Sequence, residues 1–261
     1  MDLGLQGRTA IVTGATRGIG RAIADALIAE GAAVIGSTRW PRSMDQHNER
    51  ARRDGQTQLE FVAADSMDPR SADVLVARAI ERFGRLDLIV NNAGALAGPD
   101  TDDYRSHLSH LADEKIFAYS QLIQQSAPYI CGNGVGAVVN IAGIAGLRPV
   151  GETPYAAAIT AGILSLTTFY ARTLASSGIR VNAISPGDTD TDRRAARVAG
   201  LRERQGLSNE EADQRLRSEI PLGRPVGPDE VAAMTVFLLS DRAAAITGIN
   251  VPIDGGYLAC R

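Results

Sequence analysis

The side chains best suited to acid–base chemistry are one tyrosine and the single lysine of the chain. The segment PYAAAIT places Tyr155 four residues before Ile159. A phenol has a reference pKa of about 10, so it needs a nearby cation to exchange protons at neutral pH. Residues four apart share a helix face, but Ile159 has no charge. The chain has one lysine, Lys115, so its position relative to Tyr155 decides whether it can supply such a cation.

A glycine-rich segment indicates a site for a nucleotide phosphate. TGATRGIG, residues 13–20, follows a short apolar strand pattern and opens a helical pattern. Glycines allow a tight turn and a close approach to a pyrophosphate, and the following helix offers free N–H groups and the positive end of its dipole. Because strand and helix flank the loop as required, we expect it to bind a dinucleotide. The expected contacts come from Gly14, Thr16, Arg17, Gly18, Ile19 and Gly20.

The end of the second strand indicates which dinucleotide is bound. It reads GSTRW and contains no acidic residue, whereas an NAD site commonly has an Asp or Glu about 20 residues after the glycine loop. Arg39 at this strand end and Arg17 in the glycine loop suit a 2′-phosphate, which a guanidinium binds with two parallel hydrogen bonds. The sequence therefore predicts NADP(H).

The elements that would position these residues alternate between strand and helix. Apolar runs such as AAVIGSTR, LDLIVNNAG and IRVNAISPG are separated by segments with helical spacing. This alternation predicts an α/β fold, a doubly wound Rossmann fold with a central parallel sheet, in a single domain over residues 1–261. The polar residues 188–219 are predicted to form a mobile substrate lid, with a solvated pair of surface helices as the alternative.

Composition argues against several classes of partner. The net charge of −3 favours neither a nucleic acid nor an anionic membrane. No apolar run reaches the ~20 residues that span a bilayer, and the N-terminus lacks a signal-peptide pattern. Cys131 and Cys260 indicate reduced thiols, which favours a cytoplasmic protein. His107 and His110 have a helical spacing that a metal could use, with Asp113 at the next turn. Two histidines without a close third ligand do not make a typical metal site, so we expect no metal.

Several motifs in the same order resemble the short-chain dehydrogenase/reductase family over nearly the whole chain. Residues 13–20 match its T-G-x-x-x-G-I-G, residues 91–94 its N-N-A-G, and IRVNAISPG its I-R-V-N-x-x-x-P-G. The segments PLGRPVGPDEVAAMTVFLLSD and GINVPIDGG resemble the family's tail, which implies a homotetramer. The resemblance also implies cofactor contacts from Asp65 at the adenine, from Asn91, Ala93 and Gly94 near the ribose, and from Pro186, Gly187 and Thr191 near the nicotinamide.

The family's catalytic Asn, Ser, Tyr and Lys are only partly present. Tyr155 matches the Tyr that protonates the substrate oxygen, but Ile159 stands at the Lys position and Gly143 at the Ser position. The Asn position falls on Lys115. In the family this Asn lies close to the catalytic Lys, so the resemblance suggests that Lys115 delivers the missing ammonium from a different helix. With the alignment shifted by one residue, the position would fall on Glu114 or Ile116 instead.

The expected activity is that of an NADP(H)-dependent oxidoreductase, a ketoreductase acting on a carbonyl/alcohol pair. Loss of the serine hydroxyl favours a small-molecule substrate with its own hydrogen-bonding group, such as an aromatic or polyketide-like ketone of secondary metabolism. Thr153 and Arg148 are candidate replacements for that hydroxyl. Two alternatives stay open. One is a redox-neutral dehydratase, isomerase or cyclase that uses Tyr155 for proton transfer, and the other is an inactive NADP(H)-binding sensor or subunit.

Overall fold

A seven-stranded parallel sheet organises the part of the chain that the computed structural model describes, residues 1–94, 103–132, 136–149 and 154–259. The strands are β1 (Thr9–Val12), β2 (Ala33–Thr38), β3 (Leu59–Ala63), β4 (Leu88–Asn91), β5 (Gly136–Ile141), β6 (Ile179–Pro186) and β7 (Asn250–Ile253). The helices are α1 (Gly18–Ala29), α2 (Pro41–Arg53), α3 (Ser71–Phe83), α4 (Tyr104–Leu111), a π segment (Ala112–Phe117), α5 (Ala118–Gly132), α6 (Pro154–Leu174), α7 (Asp192–Gln205), α8 (Asn209–Arg217) and α9 (Pro228–Leu239).

The order of the strands determines where a ligand binds. It runs β3-β2-β1-β4-β5-β6-β7, and every neighbouring pair is parallel. The order reverses between β1 and β4, where Val12 pairs with Val90. Doubly wound sheets bind ligands beyond the carboxyl ends of the strands at this reversal. The predicted doubly wound parallel fold is therefore confirmed.

The strands are apolar because helices cover both faces of the sheet. Every residue of β1, β4, β5 and β6 is buried, as expected for a sheet enclosed on both sides. Ile23 and Leu27 of α1 belong to one core cluster, and Leu75 and Val76 of α3 belong to another. Within the described ranges, no helix combines the length and apolarity that crossing a bilayer requires.

Two helical regions differ from the sequence interpretation. Helix α2 was not predicted, because its polar sequence PRSMDQHNERARR buries only Ala51. The second is the helical region after β4, which is not one continuous α-helix. In the structure α4 ends at Leu111, the π segment follows, and α5 begins at Ala118. Single π turns inside helices are uncommon and are frequent at functional sites.

The polar residues 188–219 form a helical pair with a small core of its own. Leu201, Ala212 and Leu216 of α7 and α8 are buried against one another. Arg194 joins the two helices because its guanidinium lies 2.9 Å from Asp188 and 2.5 Å from Asp213. The stretch is therefore an ordered pair of helices, and its movement as a lid stays a prediction.

Candidate active site

The glycine loop forms an open concave surface at the carboxyl end of β1. Gly14 and Gly18 adopt φ angles of +65° and +55°, which glycine reaches without strain. A Cβ added to Gly20 would collide with the carbonyl oxygen of Gly14, so no larger residue fits. In the described residues, the N-cap Arg17 makes no capping bond with its side chain, so the first N–H groups of α1 face the loop. This geometry fits a pyrophosphate.

Hydrogen bonds fix the loop after β4 against the loop after β1. The Thr13 hydroxyl accepts the N–H groups of Asn92 at 2.8 Å and of Ala93 at 2.9 Å. Asn91, predicted to lie near the ribose, is buried, and its amide donates to the Asn140 side chain at 2.9 Å. Asn91 therefore links β4 to β5, and a cofactor contact from this residue stays a prediction.

The two arginines predicted to bind a 2′-phosphate lie in different surroundings. Arg39 forms an ion pair with Asp65 at 3.5 Å and a second, shorter one with Glu114 of the π segment. Arg17 is exposed and approaches Asp192 of α7 at 3.3 Å. Arg39 and Asp65 thus meet beyond the carboxyl ends of β2 and β3, and their contact with a cofactor stays a prediction, while Arg17 extends toward α7.

The π segment turns two adjacent side chains, Glu114 and Lys115, toward the cleft. Both are buried, whereas neighbouring Ile116 is only partly buried. Both also pass close to Gly94, since a Cβ there would lie 2.8 Å from Lys115 Cγ and 3.5 Å from Glu114 Cγ. From this point Glu114 extends to Arg39. The sequence interpretation considered Glu114 only as the result of a shifted alignment and missed its role as the partner of Arg39.

The ammonium of Lys115 is held by a buried tyrosine one turn further along. Lys115 Nζ lies 3.2 Å from the Tyr119 hydroxyl, which also lies 3.2 Å from the carbonyl oxygens of Ala93 and Ile141. The phenol oxygen accepts a hydrogen bond from the lysine ammonium, and the phenol O–H donates a hydrogen bond to one of the two carbonyls. Burial, and secondarily the positive charge of Arg193, lowers the pKa of Lys115 to about 8. Burial raises the pKa of Tyr119, so this phenol stays neutral.

Tyr155 lies at the start of α6 beside an apolar cluster. The ring of Tyr155 stacks on His107 of α4, with the ring centroids 4.5 Å apart. It packs against the apolar cluster that contains Tyr119 and buried Ile159. His107 and His110, considered for a metal, belong to no group of three or more metal-ligating side chains among the described residues.

A cavity of about 640 Å³ opens between the sheet end and the α7–α8 pair. Lys115, Gly143 and Ala156 line it, whereas Tyr155, the sequence neighbour of Ala156, is not one of its lining residues in the described structure. Arg148 lies over the ring of Tyr257, another lining residue, while Thr153 lies outside the described residues. The predicted cofactor residues that line the cavity are Ile19, Gly94, Pro186, Gly187 and Thr191.

Comparison with known proteins identifies a family match over nearly the whole chain. Residues 14–258 match the family model described as enoyl-(acyl carrier protein) reductase. Cis-4-hydroxycyclohexanecarboxylate dehydrogenase of Sinomonas cyclohexanicum is 36% identical, with 97% of each chain covered. A putative ketoacyl reductase of granaticin polyketide synthase from Streptomyces violaceoruber is 34% identical, with 95% of this chain and 92% of that protein covered.

A solved structure shows the same architecture. L-sorbose reductase from Gluconobacter frateurii, determined in complex with NADPH and L-sorbose, superposes with a TM-score of 0.90 at 27% identity. The alignment covers 100% of both chains. The resemblance therefore extends over the sheet, the glycine loop and the helices that surround the cavity.

Proposed function

Since the chain belongs to the short-chain dehydrogenase/reductase family, we propose that it is an NADP(H)-dependent oxidoreductase that interconverts the carbonyl and alcohol forms of a small molecule. Two features of the cleft support this proposal. The glycine loop fits a pyrophosphate. Arg39 stands where the second strand ends without an acidic residue, which suits a 2′-phosphate.

The proposed chemistry divides between the cofactor and the chain. NADPH, when bound, supplies the hydride. Tyr155 donates a proton to the substrate oxygen in the reductive direction and accepts it in the oxidative direction. The remaining requirement is a positive charge that stabilises the negative charge developing on oxygen. Ile159 is apolar, so the charge is assigned to Lys115.

The buried ammonium of Lys115 is the observation on which the proposal depends. The side chain follows Gly94, lines the cavity and is held by Tyr119. A buried lysine is uncommon unless it is paired or functional. Among the described residues, it forms no ion pair within 4.0 Å, so its charge is available to the cavity. Tyr119 is proposed as a positioning residue because its buried hydroxyl holds the ammonium of Lys115.

The substrate class is proposed from the cavity and from the relatives. Gly143 supplies no hydroxyl for a carbonyl oxygen, which favours a ketone that brings its own polar group. One relative is named for a hydroxylated cyclohexanecarboxylate and another for polyketide synthesis. We therefore expect a cyclic, aromatic or polyketide-like ketone.

The test measures NADPH oxidation with a panel of cyclic and aromatic ketones that includes 4-oxocyclohexanecarboxylate. Tyr155→Phe and Lys115→Met are each expected to lower kcat by roughly 100-fold or more, because each removes a group that acts on the reacting oxygen. Tyr129→Phe is the control, because Tyr129 is an exposed residue of α5, and this variant should keep full activity. NADPH affinity, followed by its fluorescence, should persist in all three variants.

Two results would support the rival functions. Conversion of a substrate without any NADPH consumption, still abolished by Tyr155→Phe, would indicate redox-neutral chemistry. Tight NADPH binding with no conversion of any panel compound would indicate a sensor or an inactive subunit. Equal activity of Lys115→Met and the parent protein would remove Lys115 from the mechanism while leaving the family assignment intact.

A further inference from the structure

The cavity has an excess of positive charge on its wall. Four cationic side chains line it against two carboxylates. Asp188 is already paired with Arg194 at 2.9 Å and Arg197 at 3.1 Å. Glu219 accepts a hydrogen bond from the Tyr257 hydroxyl at 3.4 Å. The lining carboxylates are therefore engaged on the side of the α7–α8 pair.

Arg193 is the arginine of this wall that has no internal partner. In the part of the chain that the structure describes, its guanidinium makes no ion pair or hydrogen bond, whereas Arg194 binds two carboxylates. Arg193 lies in the first turn of α7, and its surface faces the cavity. The Arg193 side chain is exposed and therefore open to a ligand, and together with Lys115 it gives the cavity wall positive charge that an anion would neutralise. The arrangement fits a ligand that carries the missing negative charge.

We propose that the substrate carries an anionic group, a carboxylate in the simplest case, and that Arg193 binds it while the carbonyl lies toward Lys115. The inference rests on the proposed function for the reacting end of the substrate. Arg193 is thus a specificity-determining residue, since it binds a part of the substrate that does not react. A planar guanidinium binds a carboxylate through two parallel hydrogen bonds, which also fixes the direction of the ring.

Arg193 follows Asp192, whose carboxylate pairs with Arg17 of the glycine loop, and it lines the same cavity as Pro186, Gly187 and Thr191. The pyrophosphate site lies at the N-terminus of α1, and the arginine nearest to it, Arg17, is paired with Asp192. The family resemblance places Thr191, two residues before Arg193, near the nicotinamide, beside which the substrate binds. We therefore assign Arg193 to the substrate, and the phosphates of the cofactor are the rival ligand that the experiment must exclude.

The experiment compares a keto acid with its uncharged amide in a complex that cannot turn over. Protein saturated with NADP+ is titrated with 4-oxocyclohexanecarboxylate and with 4-oxocyclohexanecarboxamide by calorimetry. The acid is expected to bind at least ~10-fold more tightly than the amide, the size of a charged hydrogen bond. Arg193→Met should remove this preference, and Arg193→Lys should retain part of it. Arg202→Met, on the outer part of the same helix, is the matched control.

The outcomes separate this proposal from the proposed function. Equal binding of acid and amide, no binding of the acid, or a preference that survives Arg193→Met would overturn it. If Arg193→Met weakens NADP+ binding as much as it weakens binding of the acid, Arg193 would be assigned to the cofactor instead. A preference for the acid that depends on Arg193, found in a protein that oxidises no NADPH, would keep the anion site and reject the oxidoreductase.

Discussion

At the scale of single residues, the positions of Lys115 and Ile159 offer two routes to the same charge. Lys115 lines the cavity, and Ile159 packs in the apolar cluster beside Tyr155. If catalysis requires the ammonium but not its attachment at residue 115, an ammonium at residue 159 should replace it. The double variant Lys115→Met/Ile159→Lys should then have a kcat at least ~10-fold higher than Lys115→Met alone. Steady-state kinetics measures the recovery, and thermal melting confirms that the double variant folds. No recovery in a folded double variant would mean that the site requires the ammonium at residue 115.

The depressed pKa of Lys115 also predicts how stability depends on pH. The folded state has a pKa of about 8 and the reference value is 10.5, so the unfolded chain binds the proton more strongly between these values. The buried ammonium therefore destabilises the fold below pH 8, by up to about 3 kcal/mol, and this cost disappears as the pH rises toward 10.5. Lys115→Met should unfold at higher urea concentration than the parent at pH 7, and the gain should shrink near pH 10. A difference that does not change with pH would contradict the lowered pKa.

At the scale of elements, substitutions of two helical glycines test whether NADPH binding requires the close backbone packing of the glycine loop. Gly20 in α1 has no room for a Cβ because the Gly14 carbonyl is in the way, whereas Gly200 in α7 faces only the flexible end of Arg204. Gly20→Ala should lower NADPH affinity by roughly 10-fold or more. Gly200→Ala should leave NADPH affinity unchanged and stabilise the protein by about 0.5–1 kcal/mol. Fluorescence titration and urea unfolding measure the two effects. Unchanged NADPH affinity in a folded Gly20→Ala protein would reject the loop as the phosphate site.

The sequence predicts elements well where they follow one period, and less well where a turn changes it. Apolar runs predict all seven strands, and the glycine loop is predicted with its flanking strand and helix. A 3.6-residue period cannot show that Glu114 and Lys115 both face inward, because this depends on the extra residue of the π segment. The placement of Arg193 also escapes the sequence. Several arginines lie on α7, and only the contacts between α7 and α8 show which of them has no carboxylate partner among the described residues.

At the scale of the whole molecule, the described cleft divides its charges along its length. Beyond the end of β2, Arg39 is bound by Asp65 and Glu114, so the predicted 2′-phosphate contact would require Arg39 to share or leave these carboxylates. At the other end, Lys115 and Arg193 line the cavity without carboxylate partners among the described residues. Glu114 and Lys115 are adjacent in one π segment, which connects the two ends of the cleft through a single turn.

Exposed apolar side chains indicate where subunits would meet in the homotetramer that the family resemblance implies. A closed tetramer with dihedral symmetry requires at least two different self-complementary interfaces. Large apolar side chains are exposed on different elements, with Phe117 and Phe169 on the π segment and α6 at 62% and 58%, and Leu222 after α8 at 68%. The family resemblance leads us to expect a homotetramer, in which subunit contacts on these elements would bury the exposed side chains.

Substitution on each element should therefore remove one interface at a time. Phe169→Glu and Leu222→Glu are each expected to reduce the tetramer to a dimer, and the double variant to a monomer, because a buried unpaired carboxylate is unfavourable. Val74→Glu, at an apolar position on α3 that is 46% exposed, is the control and should leave the mass unchanged. Light scattering after size-exclusion chromatography measures the mass. A parent protein that is monomeric at all concentrations would show that these side chains face solvent and that the site is complete within one chain.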